Sequence, residues 1–275
     1  MNQPIIIVGI GELGGVFARA FLRNNHPVYP LTRSMNIPDQ ADRMPQPELV
    51  LVAVVEKDFK AVMTTIPAAW RNCTGLLQNE LLPRDWETYD ITKPTIISVW
   101  FEKKKGREYK VLIPSRVHGP KAGLIAESLE DIEIPCKILS SEDELLFELV
   151  LKNVFVLTIN ISGMVLEEGT TTETLWTRHN EFARSIAEEV IDIQEWLTKA
   201  AFQRKKLIDR LAEGVYGDPQ HKCRGRSAQG RLKRVLDIAD EAGLKIPRIR
   251  DIRERQMLNE HRTSESVFRR QGGNN

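Results

Sequence analysis

The sequence predicts an α/β domain with a doubly wound, mainly parallel sheet, followed by an all-helical C-terminal domain. In the first half of the chain, short apolar runs rich in β-branched residues alternate with helix-spaced patterns, as in a sheet covered on both faces. After residue 140 only helical spacing occurs, and a glycine-rich turn near the start is a third indication. We therefore predict two domains, over residues 1–140 and 141–275.

The composition suits a globular chain of one large domain or two of ordinary size. The 275 residues are 41% hydrophobic and 28% charged, and the net charge of +1 favours neither nucleic acid nor an acidic membrane surface. The three cysteines are too far apart for a disulfide framework or a zinc pattern. We find no signal peptide and no apolar run of about 18 residues, so we expect a cytoplasmic protein without a membrane span.

The glycine-rich turn lies between a predicted strand and a predicted helix. Residues 5–8 form an apolar run of the length of a buried strand, and Gly9, Gly11 and Gly14 follow with the spacing G-x-G-x-x-G. In a Rossmann domain the first glycine permits a tight turn and the second lets the backbone approach a pyrophosphate. The third lets the helix pack closely on the strand. The pattern predicts a dinucleotide site in a Rossmann domain.

The start of the first helix completes this predicted site. Free N–H groups at a helix N-terminus favour a phosphate, so we expect Glu12 and Leu13 to contribute to it through their backbone. The alternative is a glycine-rich turn in another kind of α/β protein.

The end of the second predicted strand, His26–Leu31, indicates which dinucleotide binds. NAD enzymes usually carry an acid there, about 20 residues past the glycines, which accepts hydrogen bonds from the ribose. This chain instead has Thr32, Arg33 and Ser34, and a guanidinium with two hydroxyls suits the 2′-phosphate of NADP. We predict NADP rather than NAD; the alternative is that Arg33 is an ordinary solvated loop residue.

The remaining elements of the first half follow from the same patterns. Strands are predicted over Leu49–Val55, Gly75–Gln78, Thr95–Phe101, Lys110–Pro114 and Ile134–Leu139. Helices are predicted over Phe59–Ile66, which Pro67 ends, and over Lys121–Leu129. The polar stretch between the third and fourth of these strands is typical of a hairpin.

The second half begins with a helix start signal. Ser141 can cap a helix, and Glu144 three residues later completes a capping box. The helix that follows is apolar on most sides, so we expect it to be buried. Two amphipathic helices are predicted beyond it, over Glu181–Gly214 and over Ser227–Ala242 before Gly243. We expect the tail from Thr263 to fray.

A lysine stands inside the apolar helix. An unpaired buried ammonium is costly, so Lys152 must reach an edge or a cleft. Asn160 follows eight residues later and projects to nearly the same face. A desolvated lysine can have its pKa lowered toward neutrality, which suits a general acid. Alternatively, Lys152 reaches solvent and Asn160 bonds a neighbouring backbone group.

These features together resemble the ketopantoate reductase family over nearly the whole chain. Its members have an N-terminal Rossmann domain and a helical C-terminal domain, and they reduce 2-dehydropantoate with NADPH. The matching residues are the glycine motif with Gly15, Arg33, Gln78-Asn79, the lysine segment Glu148–Lys152, Asn160, and Gly243–Pro247. The resemblance implies that Lys152 is the general acid and that Asn79 lies beside the nicotinamide. It also implies that Asn79 and Asn160 orient the substrate and the nicotinamide ring.

The resemblance further implies a divergent member with an altered substrate site. An asparagine that helps to hold substrate follows the family lysine by one turn, and this chain has Val156 there. Another family asparagine falls near Thr170, and a glutamate that binds the substrate hydroxyl falls at Ser227, which can instead cap a helix. Hydrogen-bonding sites discriminate strongly, so we expect the substrate to differ from ketopantoate.

The basic loop over residues 221–227 could replace those side chains. Its Arg224 and Arg226 suit a carboxylate substrate or the cofactor phosphates. One alternative is a solvated basic loop that leads into a helix with Arg231, Lys233 and Arg234 facing outward. Another is a nucleophilic role for Cys223 together with His221. We expect no metal here, because no second ligand pair has suitable spacing.

Three functions follow from these patterns. The first is NADPH-dependent reduction of a 2-oxo acid or related small carbonyl compound, the second is a non-catalytic NADP-binding regulator or partner protein, and the third is reduction of a C=N bond. We expect a small-molecule substrate in a cleft between the domains and no nucleic-acid or membrane partner. The long C-terminal helices could form a homodimer.

Overall fold

The computed structural model describes residues 2–258 of the chain. The chain divides into two compact units, Met1–Asn153 and Val154–Asn275, and the division falls within one long helix. The boundary predicted from the sequence, between residues 140 and 141, lies next to the start of that helix. The tail from Thr263, for which we predicted fraying, lies outside the described residues.

Strands and helices alternate in the first unit as far as the long helix. Its strands are β1 (Ile5–Val8), β2 (Val28–Leu31), β3 (Leu49–Val52), β4 (Thr74–Leu76), β5 (Thr95–Ser98), β6 (Phe101–Glu102), β7 (Lys110–Val111), β8 (Ser115–His118) and β9 (Cys136–Ile138). Its helices are α1 (Glu12–Arg23), α2 (Ile37–Arg43), α3 (Glu56–Met63), α4 (Ala68–Arg71), α5 (Arg84–Glu87) and α6 (Ala122–Glu130).

The long helix α7 (Glu142–Ser162) continues into the second unit. The further helices of that unit are α8 (Thr172–Arg178), α9 (Asn180–Thr198), α10 (Arg204–Gly217) and α11 (Ala228–Ala242), and residues 247–258 are also helical. Outside named strands, the β pairing recorded in the described residues is the isolated bridge between Thr171 and Lys222. The predicted all-helical character of the second half is confirmed.

The first unit contains a seven-stranded sheet in the order β2-β1-β3-β4-β5-β8-β9. Its neighbouring strands are parallel, except that β5 and β8 pair antiparallel. The predicted α/β fold with a mainly parallel sheet is therefore confirmed.

The antiparallel strand β8 was not predicted. Of the predicted strand Lys110–Pro114, only Lys110–Val111 pairs, and it forms a small hairpin with β6. The hairpin reverses the chain, so that β8 runs back along β5 with Ser98 opposite Arg116. Buried and half-buried residues alternate along β8, but its sequence, Ser-Arg-Val-His, contains a single apolar residue, so hydrophobic patterning does not reveal the strand.

The core of the first unit holds the strand ends in place. Ile5–Ile7 and Leu49–Val52 have 0% exposure, as expected of central strands of a parallel sheet. Helices α1 and α6 pack on the sheet through Phe17, Phe21, Ile125 and Leu129. Because the strands and the inward faces of these helices are buried, the loops after the strands start from fixed positions.

Helix α7 begins close to the predicted capping signal. Glu144 N–H donates to Ser141 Oγ at 3.2 Å, as a capping box requires. In a capping box the glutamate side chain also bonds back to the N–H of the capping residue. Here the Glu144 carboxylate instead accepts hydrogen bonds from the N–H and the hydroxyl of Ser140, one residue earlier, both at 2.8 Å. By length and composition α7 could cross a membrane. However, 83% of the 18-residue apolar stretch of this helix is buried, as in a core helix.

The single helix predicted over Glu181–Gly214 is wrong. The chain forms α9 and α10 instead, and Lys199, which ends α9, has φ 55° in the left-handed region. Arg204 at the start of α10 folds back onto the acidic side chains of α9, which are Glu188, Asp192 and Glu195. The stop predicted for α11 at Gly243, with φ 65°, is confirmed.

Candidate functional site

The glycine turn after β1 has a geometry that only glycine allows at two positions. Gly9 has φ +95°, and a Cβ there would lie 2.9 Å from Val54 Cγ1. A Cβ on Gly14 would lie 2.2 Å from the carbonyl oxygen of Gly9. These contacts let α1 begin directly against the end of β1.

The second glycine of the motif, Gly11, borders open space. A Cβ on Gly11 would have no neighbour within 4 Å, and no side chain caps the start of α1. The Gly15 N–H donates to the Gly11 carbonyl at 2.8 Å. The N–H groups of Glu12, Leu13 and Gly14 come before this bond in the chain, where a helix has no intrahelical acceptor for them. The turn therefore presents an open backbone surface with the partial positive charge of a helix N-terminus.

Loops from three strands meet at one edge of the sheet. Strands β2 and β3 flank β1 in parallel, so their carboxyl ends lie side by side. The Gly9 N–H donates to Leu31 O at 3.0 Å, and the Ala53 N–H donates to Val8 O at 2.8 Å. Because the strand order reverses at β1, this edge is the switch point at which open α/β sheets bind ligands.

The predicted cofactor residues after β2 lie at this edge. Arg33 is 86% exposed in its side chain and donates to Asp58 Oδ2 of α3 at 2.8 Å. The hydroxyls of Thr32 and Ser34 lie 3.0 Å apart. Asp58, which was not predicted, brings an acid to the end of β2 from another element. An ion pair this exposed contributes about 1 kcal/mol or less, so an anionic ligand can displace Asp58.

Asn79 follows β4, the next parallel strand at the same edge. Its Nδ2 donates to Glu56 Oε1 at 3.2 Å. The preceding side chain, Gln78, is buried and donates to Val52 O at 2.7 Å and Val54 O at 3.3 Å. These bonds tie the ends of β3 and β4 together and hold the backbone that carries Asn79.

A cleft of about 320 Å³ opens beside the glycine turn. Its walls come from the turn, from α1 and from the β6–β7 hairpin. Lys103 of the hairpin lies 3.5 Å from the Glu12 carboxylate, measured from Nζ to Oε2. The hairpin therefore brings a cation to the first turn of α1, next to the open backbone.

Lys152 contacts an aromatic ring. Its Nζ lies 4.3 Å from the centroid of the Trp100 ring, which is a cation–π contact. Trp100 is fully buried, and its backbone N–H donates to Ser115 Oγ at 3.0 Å. The Lys152 side chain is half-buried, so the ring takes the place of part of its water. Sequence reasoning missed Trp100, which lies far from Lys152 along the chain.

A buried ion pair lies one turn before Lys152 on α7. Glu148 Oε1 is 3.7 Å from Arg116 Nε of β8, and the two side chains are 7% and 12% exposed. Buried charges are retained in pairs, because removing one partner leaves the other uncompensated at a cost of about 3–5 kcal/mol. Sequence reasoning missed Arg116, because it lies on the strand that was not predicted.

Asn160 lies in the part of α7 that belongs to the second unit. It is buried, and its Oδ1 accepts a hydrogen bond from Arg231 Nη1 at 2.9 Å. Arg231 is 8% exposed, so the interpretation that it faces outward is wrong. The exposed Lys233 and Arg234 of the same helix fit that interpretation, whereas Arg231 lies on the buried stripe of α11.

The loop over residues 221–227 packs against the end of α7 and the segment before α8. The Cys223 N–H donates to Thr170 O at 3.0 Å, and the Thr172 N–H donates to His221 O at 2.9 Å. A Cβ on Gly163 would lie 2.7 Å from Cys223, so glycine is needed for this close approach. The loop is thus held by backbone bonds on one side and by α7 on the other.

The buried thiol in this loop is not a nucleophile. Cys223 has 0% exposure, and desolvation by burial raises its pKa to about 12. A thiol with such a pKa stays protonated at neutral pH, and the thiolate is the reactive form. The alternative of a nucleophilic role for Cys223 is therefore wrong.

The predicted substrate residues Thr170, Arg224 and Ser227 differ in exposure, as does Val156, which stands where the family has an asparagine. Val156 is 8% exposed on α7, and the Thr170 hydroxyl donates to Glu167 O at 2.7 Å. Arg224 and Ser227 are exposed. Ser227 occupies the residue before α11, but its side chain makes no capping hydrogen bond.

Comparison with solved structures identifies proteins of similar fold. A 2-dehydropantoate 2-reductase from Methylococcus capsulatus matches over 95% of this chain and 98% of its own, with 13% identity and a TM-score of 0.69. A D-mandelate dehydrogenase in complex with NADH matches over 92% of this chain and 97% of its own, with 12% identity and a TM-score of 0.65. A dimeric ketopantoate reductase from Staphylococcus aureus matches over 90% of this chain and 96% of its own, with 12% identity and a TM-score of 0.62.

No protein-family model and no curated protein sequence matches the chain. The structural matches nevertheless cover nearly all of it, and several are ketopantoate reductases. The resemblance to that family in the sequence is therefore confirmed at the level of fold, in a chain of strongly diverged sequence.

Proposed function

We propose that this protein is an NADPH-dependent reductase of a 2-oxo acid or a related small carbonyl compound. The observation that carries the proposal is the glycine turn at the switch point of the sheet. There Gly14 leaves no room for a side chain and Gly11 leaves space in front of a helix N-terminus. The solved structures of similar fold, which are named as a 2-dehydropantoate reductase and a D-mandelate dehydrogenase with NADH, support the reaction class.

The cofactor residues of the proposal are those at the sheet edge. The backbone of Gly9, Gly11, Glu12, Leu13 and Gly14 would hold the pyrophosphate. Thr32, Arg33 and Ser34 would hold the 2′-phosphate of NADP, for which an exposed guanidinium is suited. Asn79 would orient the nicotinamide ring from the end of β4. When bound, NADPH supplies the hydride.

The chain's own chemistry centres on Lys152. As general acid it would donate a proton to the substrate oxygen that becomes a hydroxyl. The Lys152 ammonium lies over the Trp100 ring, with Nζ 4.3 Å from the ring centroid. Asn160, eight residues further along α7, would hold the substrate through its amide. The loop residues Arg224 and Ser227, with Thr170, are the proposed further substrate contacts.

NADPH oxidation over a panel of 2-oxo acids tests the proposal. We expect turnover that falls about 100-fold or more in Lys152→Met, with NADPH affinity unchanged, because only the proton donor is removed. Lys205→Met, a substitution of an exposed lysine, is the matched control. Unchanged turnover in Lys152→Met would remove this residue from its role.

A second function is favoured by one observation. The residue one turn after Lys152 is the buried, apolar Val156, and the Thr170 hydroxyl is bonded to the Glu167 carbonyl. These are poor contacts for a polar substrate, as expected of a non-catalytic NADP-binding regulator or partner protein. Such a protein would bind NADPH tightly and would reduce no carbonyl compound, so turnover with any 2-oxo acid excludes it.

We also propose a homodimer. The similar Staphylococcus aureus ketopantoate reductase is described as dimeric, and the described part of the second unit of this chain contains helices, connecting loops and one isolated β-bridge. Sedimentation equilibrium would give a mass near twice 31.4 kDa if the proposal holds, and a mass near 31.4 kDa if it does not.

A further inference from the structure

We propose that Arg231 is a positioning residue that fixes which end of the Asn160 amide faces a ligand, and that this end binds a hydrogen-bond acceptor such as a carboxylate or keto oxygen. The inference rests on the proposed function only in taking that ligand to be the substrate. Arg231 belongs to neither the cofactor residues nor the substrate residues predicted from the sequence.

The orientation of the amide follows from the chemistry of its partner. A guanidinium carries only donors, so the atom of Asn160 that it contacts at 2.9 Å must be the carbonyl oxygen Oδ1. Asn160 and Arg231 are 6% and 8% exposed, which makes this bond hard to exchange for water. With Oδ1 bound to Arg231, the Nδ2 group and its two N–H donors point away from the guanidinium.

The backbone at Gly225, in the 221–227 loop, lies close to the oxygen side of the amide. A Cβ on Gly225 would lie 2.9 Å from Asn160 Oδ1 and 3.9 Å from Nδ2. Within residues 2–258 Nδ2 has no recorded hydrogen-bond partner, although Asn160 keeps a small accessible surface. Nδ2 is not among the buried polar atoms that lack a partner, so it reaches this accessible surface, and it is the group through which Asn160 can meet a ligand.

The surrounding charge determines which ligand fits. The Arg231 cation polarises the amide and strengthens its N–H donors toward an acceptor. Arg224 and Arg226 add positive charge in the same loop. An anionic ligand with an acceptor oxygen is favoured here, whereas a protonated imine is repelled and has no acceptor to offer. The arrangement therefore selects a 2-oxo acid over a substrate with a cationic C=N bond.

Binding of oxamate, an unreactive analogue of a 2-oxo acid, to the NADPH complex tests the inference by calorimetry. We expect Arg231→Met to weaken binding about 10-fold or more, because the freed amide no longer presents its donors in one direction. Arg231→Lys should lose only about 3-fold, because an ammonium can donate to the same oxygen. Arg234→Met, an exposed position on the same helix, is the control and should bind as the wild type does.

A double-mutant cycle separates this positioning role from a direct contact of Arg231 with the ligand. We expect Asn160→Ala to weaken oxamate binding, and Arg231→Met to add nothing in the Asn160→Ala background. The side-chain ¹⁵N signal of Asn160 should shift in Arg231→Met, while the melting temperature of Arg231→Lys stays at the wild-type value. Multiplicative losses in the double variant would overturn the inference, as would wild-type binding by Arg231→Met.

The two proposals fail in different ways. If the wild-type protein binds oxamate and the double-mutant cycle gives the expected result, but the protein reduces no 2-oxo acid, the role of Arg231 is upheld and the reductase is contradicted. Wild-type protein that reduces 2-oxo acids but does not bind oxamate, or that has the same KM as Arg231→Met, upholds the reductase and contradicts the role of Arg231.

Discussion

We propose that the choice between NADP and NAD depends on one ion pair at the end of β2. Arg33 is bound to Asp58 at 2.8 Å on the surface, so a 2′-phosphate has to compete with that carboxylate. We expect Arg33→Gln to weaken NADPH binding about 10-fold and to leave NADH binding unchanged. Asp58→Asn should strengthen NADPH binding by a few-fold, because it frees the guanidinium. Fluorescence titration with both cofactors measures these changes, and equal losses for both cofactors in Arg33→Gln would contradict NADP selectivity.

The buried thiol of Cys223 makes folding stability depend on alkaline pH. Burial raises its pKa from 9.0 to about 12, so above pH 9 the unfolded chain loses this proton before the folded chain does. The contribution of the thiol to stability is complete below pH 9 and is lost as the pH rises toward 12.

The pH effect can be measured by comparison with a variant that lacks the thiol. Between about pH 8 and about pH 10.5, wild-type stability should fall by about 2 kcal/mol more than that of Cys223→Ala. Urea unfolding of both proteins at each pH gives the difference. Parallel pH profiles would contradict it.

Some residues of the candidate site could be predicted from the sequence, and others could not. Lys152 could be predicted, because a charge inside an apolar helix is a local conflict that can be read from the chain. Its contact with Trp100 could not be predicted, and neither could the buried pair Arg116–Glu148, because strand pairing brings these residues together from distant segments. The same holds for Arg231, whose burial depends on how α11 packs.

Some helix ends are determined by neighbouring residues in the chain, and others by contacts with more distant residues. The end of α11 could be predicted, because a glycine in the left-handed region is a local stop signal. The break between α9 and α10 could not, because the helical spacing continues across it. What stops α9 is the left-handed Lys199 together with the ion pairs that Arg204 makes with α9.

The turn between α9 and α10 should therefore depend on Arg204. We expect Arg204→Gln to lower the free energy of unfolding by about 1 kcal/mol, discounted because the side chain is 37% exposed and its partners are solvated. Lys205→Gln, which removes an exposed pair within α10, should cost about 0.3 kcal/mol. Urea unfolding compares the two, and an equal effect would mean that Arg204 does not fix the turn.

At the scale of the whole molecule, α7 is the element that both units share. Its first turns belong to the unit with the sheet and its last turns to the helical unit, and most of its length is buried. Melting α7 would expose apolar surface in both units at once, so we expect the two to unfold together in one calorimetric transition. The cofactor, which is proposed to bind only residues of the first unit, should then stabilise the entire chain.

Calorimetry with and without NADPH tests this coupling. At a ligand concentration of about 100 times Kd, the stabilisation is about 2.7 kcal/mol, which corresponds to a rise of about 5 °C in Tm for a chain of this size. We expect one transition that shifts as a whole, and Arg33→Gln at the same NADPH concentration should shift less. Two transitions of which only one responds to NADPH would show that the units unfold independently and that α7 does not couple them.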